Sequence, residues 1–216
     1  RWQVRRNIFT WLRSGKIWAV HLATPCTPWS AATPNKGRYH DSGAANSKIT
    51  AKNIDEADAN NVWWTLENPR GSGLFDDVDK RRKLPGKHRA PIDSAVWDCC
   101  EFGAHYLKPT ELRGTLPGLH VLSRRCTGGH FHERLQGTVQ MCGKRTWRTT
   151  LSSKYAPLLC QRWAKVLSDA ANSSCFARHK DPVQVDMDRL ARDLYACMRG
   201  HLTRSVTTRR RTSARA

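Results

Sequence analysis

Cys26 lies in Thr24-Pro25-Cys26-Thr27-Pro28-Trp29-Ser30, bracketed by two prolines. Prolines at this spacing forbid regular structure, so the thiol sits on an irregular loop that follows an apolar run. A cysteine so placed is a candidate nucleophile. Only the thiolate attacks, so the chemistry requires a nearby positive charge or dipole. The alternative is a buried structural cysteine, since free Cys is among the most buried residue types. Glu67-Asn68-Pro69 closes a second apolar run. A carboxyl there could pass protons, although Asn-Pro is equally an ordinary strand-ending turn. Cys126, His130, His132 and Cys142 are potential metal ligands. Two thiolates and two imidazoles suit tetrahedral zinc, but this is not a standard zinc-finger spacing. Otherwise these residues line a loop facing nucleic acid, with Arg124, Arg125, Arg134, Lys144 and Arg145 on phosphates.

The elements that must position these residues follow from apolar periodicity and turn residues. Residues 4–14 read as a short helix ended by Gly15. Ile17 to Leu22 reads as a buried strand leading into the Cys26 loop. Residues 31–47 are small and polar and read as a mobile loop, and residues 48–61 suit a helix. Val62 to Leu66 is a second strand, which places Glu67 just past its end. Arg70 to Pro91 reads as a basic loop. Ser94 to Phe102 is a third strand candidate, and Glu111 to Ser123 holds room for a short fourth. Residues 124–150 carry no clear period. Tyr155 to Ala171 is a helix with one apolar side. Residues 172–182 form a linker, 183–202 another helix, and 203–216 a basic tail read as disordered. Strands alternating with helices predict an α/β fold with a mainly parallel sheet, whose working groups lie at the carboxyl ends of strands.

The Pro-Cys-x-x-x-Ser loop after a strand resembles the nucleophile loop of DNA cytosine-5 methyltransferases, including the shorter methylase-like domains of phages and mobile elements. Glu67-Asn68-Pro69 resembles that family's Glu-Asn-Val motif, at a similar spacing from the cysteine, with Pro69 in place of Val. Phe102-Gly103 followed by Lys108-Pro109-Thr110 resembles a third family stretch. The resemblance runs from about Ile17 to Ala164. It implies a partial Rossmann-like methyltransferase sheet with carboxy-terminal helices, residues 1–171 forming the catalytic domain. It implies that Cys26 attacks carbon 6 of cytosine, with Pro25 aiming the thiol. Glu67 would hold the neighbouring ring nitrogen, as a partly buried carboxyl able to keep a proton near neutral pH. Lys108 would hold the target base, although a Lys cannot make the forked contact of the family's Arg; the alternative is a simple turn. The base would have to leave the duplex. The methyl donor, S-adenosylmethionine, binds in the family through a glycine-rich turn upstream of the nucleophile loop. Residues 1–25 carry no such turn. With Arg as first residue, the sequence reads as an amino-terminally truncated piece, inactive in methyl transfer as it stands.

Lys and Arg number 37 against 18 Asp and Glu, a formal net charge of +19. Such a charge is attracted to polyanions, and nucleic acid, DNA above all, is the expected partner. No run is long and apolar enough to span a bilayer, and no secretory leader stands at the start. Eight cysteines in a chain of this length and charge read as free thiols of a reducing intracellular compartment, nucleus or cytoplasm. Two readings compete with the enzyme: a non-catalytic nucleic-acid-binding module of a mobile-element polyprotein, and a zinc-stabilised structural domain.

Overall fold

Residues Trp63–Pro69 form a strand, β2, with five consecutive buried residues from Trp64 to Asn68. Both faces are out of water, the pattern of a strand inside a sheet rather than at its rim. A computed structural model of the chain describes residues 2–29, 40–83, 91–141 and 143–173. In it β2 pairs parallel with β1, Ala19–Ala23, and antiparallel with β4, Pro109–Gly114. With β3, Asp93–Asp98, the order is β1-β2-β4-β3. The α/β expectation holds, but the sheet is mixed rather than mainly parallel. Apolar periodicity reports which residues face the core, not which way a strand runs.

Three helices accompany these strands: α1, Trp2–Arg13; α2, His40–Ala59; and α3, Leu74–Arg81. Leu12, Ala51, Ile54, Ala57, Leu74, Phe75 and Val78 form one buried cluster with Val62, Trp64 and Leu66. Val20 and Leu22 of β1 pack against it. Residues 40–47, read as loop from their small and polar side chains, belong to α2. Gly43 and Ser47 face inward there, so the helix approaches its neighbours closely instead of offering bulk. Helix α3 replaces part of the loop anticipated over residues 70–91. Its acidic first turn and basic last turn suit the helix dipole.

A buried ion group joins α2 to the segment after α3. The Arg82 guanidinium, 2% exposed, meets Asp55 and Asp58 and stacks on the Trp64 ring at 5.6 Å. The Trp64 indole N–H donates to Asp58 at 2.9 Å. Each buried charge therefore has partners, without which burial would be costly.

The described residues divide into two compact units. One comprises residues up to Trp97 together with Pro109–Arg125; the other comprises Asp98–Lys108 and residues from Cys126 on. In the second unit, β3 gives way to a 3-10 turn, Cys99–Phe102, where a longer strand was expected. Helix α4, Pro157–Asn172, starts with proline in its first turn, where the missing N–H costs nothing. It buries Leu159, Cys160, Trp163, Ala164, Val166 and Ala170, spaced as an amphipathic helix requires. Arg162 lies over the Phe102 ring at 5.7 Å. Strands β5, Thr138–Met141, and β6, Lys144–Trp147, form an antiparallel hairpin within the stretch that showed no period. The anticipated helix over 183–202, the tail and nearly all of the linker lie outside the described residues. Among the described residues no helix is long and apolar enough to cross a membrane.

Candidate active site and candidate metal centre

In the register of β1 and β2, Ala23 stands opposite Glu67. Parallel neighbours present their carboxyl ends at one edge, where α/β sheets place their working groups. The loop carrying Cys26 leaves β1 at that edge. Glu67 lies inside β2, with Leu112 of β4 as its antiparallel partner; it is not just past the strand as anticipated. The antiparallel register runs on to Pro69 opposite Thr110, where the missing N–H removes at most one bond at the end of the ladder.

Several contacts fix the loop. The Asn68 side-chain amide donates to the Thr24 carbonyl at 2.9 Å, joining the exits of β1 and β2. The Thr24 and Thr50 hydroxyls meet at 2.8 Å, joining the loop to α2. The Trp29 N–H donates to the Cys26 carbonyl at 2.9 Å and closes a short turn, Thr27–Trp29. A Cβ built at Gly43 would lie 3.0 Å from the Pro28 Cβ and 3.3 Å from the Trp29 ring. Helix α2 can approach the loop this closely because residue 43 has no side chain.

Cys26 is a half-buried free thiol. Glu67 is 8% exposed and Asn68 1%. The Asn68 Oδ1 has no hydrogen-bond partner among the described residues. Alternation along β2 puts Thr65 and Glu67 on one face and Trp64, Leu66 and Asn68 on the other. His21 of β1 bonds the Thr65 hydroxyl through Nδ1 at 2.9 Å. His21 as a whole keeps some exposed surface, but desolvation of its ring pushes the pKa down to about 3. The imidazole beside Thr65 is therefore neutral at working pH.

Lys108 belongs to the second unit, where its ammonium donates to the Ser152 carbonyl at 3.0 Å. Arg124, Arg125, Arg134, Lys144 and Arg145 are all exposed. The Arg124 N–H donates to the Val96 carbonyl, and Arg145 Nε donates to the Thr138 hydroxyl at 2.9 Å.

The adenosyl donor does not fit the described residues. Those preceding the Cys26 loop form α1 and β1, and the described glycine among them, Gly15, ends the helix rather than following a strand.

The second unit gathers Cys100, Cys126, His130 and His132. One ligand atom from each lies within 4.8 Å of all the others. The Cys126 Sγ is 3.8 Å from His130 Nε2 and 3.5 Å from His132 Nε2. Burial, reinforced by the neighbouring Cys126, pushes the Cys100 thiol up to about 11. Cys126, His130 and His132 are thus brought together as anticipated, while Cys142 lies outside the described residues. The sequence reading missed Cys100. It lies within the stretch assigned to a strand, far along the chain from the Cys126–His132 group, and the available signal was the vicinal pair Cys99-Cys100.

No family model, curated protein or solved structure matches this chain.

Proposed function

We infer that the chain is the base-handling part of a DNA cytosine-5 methyltransferase-like domain. The observation that carries this reading is the parallel pairing of β1 and β2. It puts the Cys26 loop and Glu67 at one sheet edge, with the Asn68–Thr24 bond joining the two segments. The reaction acts on neighbouring atoms of one pyrimidine ring, so it needs the thiol and the carboxyl in one cavity, and segments that leave the same sheet edge favour that.

On this reading the Cys26 thiolate adds to carbon 6 of an extruded cytosine. Glu67 holds the adjacent ring nitrogen and draws electron density away from carbon 6. The displaced π electrons reach carbon 5, which takes a proton from solvent. Loss of the other hydrogen from carbon 5 then expels the thiolate and restores the base. The cycle consumes nothing and needs no methyl donor, so the chain can be tested by itself. Exchange of the carbon 5 hydrogen is followed in heavy water on single-stranded and duplex DNA of random sequence. Cys26→Ser abolishes exchange and Glu67→Gln slows it by roughly 100-fold or more, the usual worth of a positioned acid–base group. A wild-type chain without exchange, or exchange that survives Cys26→Ser, overturns the reading.

The net charge of +19 and the exposed arginines and lysines favour a second reading, a nucleic-acid-binding module without chemistry. DNA binding with no exchange in the wild-type chain would select it.

A further inference from the structure

We propose that Cys100, Cys126, His130 and His132 bind one zinc ion as a closed structural site. Tetrahedral zinc with sulfur at about 2.3 Å and nitrogen at about 2.0 Å places its ligands roughly 3.3 to 3.8 Å apart. The distances from Cys126 Sγ to the two imidazoles, 3.8 and 3.5 Å, fall on that range. The whole set lies within 4.8 Å, so small side-chain adjustments complete the tetrahedron. Two thiolates with two imidazoles select zinc over the hard, oxygen-seeking cations.

The surroundings are built for such a site. Gly128 and Gly129 adopt φ of +83° and +82°, the left-handed region that favours glycine. They turn the chain so that His130 comes back to Cys126. The Gly128 N–H donates to the Cys126 sulfur at 3.3 Å, and the Cys126 N–H donates to Asp98 Oδ2 at 2.8 Å. Outer bonds of this kind orient metal ligands. The ring centroids of His130 and His132 are 4.4 Å apart, edge to face. Four protein donors leave no open position for water or substrate, which makes the ion structural rather than catalytic. Binding releases the two thiol protons to solvent, so the zinc and the two thiolates balance in charge. The ion then clasps the turn after β3 to the loop 126–132. This proposal stands apart from the methyltransferase reading and does not need it.

The test uses the full chain, with zinc content and a cobalt(II)-substituted spectrum as readouts. The expected result is about one zinc per chain and the cobalt spectrum of a tetrahedral two-thiolate site. Cys100→Ser and Cys126→Ser should lower zinc affinity by more than the roughly 10- to 100-fold that loss of an outer partner costs. Cys99→Ser and Cys142→Ser should keep the ion. His130→Cys preserves a donor, so it should retain zinc and shift the cobalt spectrum to that of three thiolates; it does not depend on whether the serine variants fold. Zinc-free wild-type protein that takes up neither zinc nor cobalt overturns the proposal. So does release of zinc by Cys142→Ser with retention in Cys100→Ser, or an unaltered cobalt spectrum in His130→Cys.

Discussion

Replacing Asn68 by Asp should turn a pH-insensitive contact into a pH-dependent one. Asn68 is 1% exposed, and its amide donates to the Thr24 carbonyl at 2.9 Å. An ionised carboxyl there would face that carbonyl with no proton to give. Protonated, it donates in the amide's place. Burial raises such a carboxyl by roughly 3 units or more above its unfolded value of about 3.9. The folded state therefore keeps its proton where the unfolded state has lost it. Stability is fully present below about pH 4 and falls as the pH rises toward the folded pKa, by about 1.4 kcal/mol per unit. By pH 7 the variant should have lost about 4 kcal/mol relative to its own value near pH 4. Urea unfolding at a series of pH values between these limits measures this, with wild type and Asn68→Ala alongside. The alanine variant loses the bond but adds no titrating group, so its profile should run parallel to wild type. A profile for Asn68→Asp that also runs parallel to wild type would refute the burial and bonding assigned to this residue.

Two further outcomes are expected, one from the buried ion group and one from the net charge. Arg82→Met should destabilise the first unit by about 3 to 5 kcal/mol, because Asp58 and Asp55 lose their buried cation. Adding Asp58→Asn should recover part of that in the same unfolding measurement. Affinity for DNA in filter binding should fall linearly with salt on logarithmic axes, with one counterion released for roughly each phosphate neutralised; a flat salt profile would remove the polyanion argument.

The parts of the fold legible in the sequence are those where bulky apolar residues keep a period. Leu159, Trp163 and Val166 announce α4, and the run around Trp64 and Leu66 announces β2. Helix α2 was read short because its first turns contribute Gly43 and Ser47, whose value lies in close approach, and small polar residues also signal loops. Helix α3 buries Leu74, Phe75 and Val78, a helical spacing in only eight residues and obscured by the charges between them. The antiparallel β4 was illegible in direction, since a strand's alternation looks the same read either way. At the metal centre, Cys126, His130 and His132 were visible because they are local. Cys100 reaches them only through the turn that ends β3, and the vicinal pair Cys99-Cys100 flags a thiol there without saying which distant residues it meets.

Among the described residues, strand β1 is the outer member of its sheet order. Its five residues, Ala-Val-His-Leu-Ala, carry no proline, no lysine and no acidic group, and its histidine, with a pKa near 3, stays uncharged at working pH. Natural proteins usually blunt an outer strand with such residues, because its open amides and carbonyls invite another chain to pair. The consequence is colloidal. Two copies brought together at high concentration should therefore pair strand to strand through residues 19–23, an outcome that light scattering against concentration checks, despite a net charge of +19 that would otherwise keep them apart. A single lysine at position 19 or 23 is the simplest remedy for anyone preparing it at high concentration.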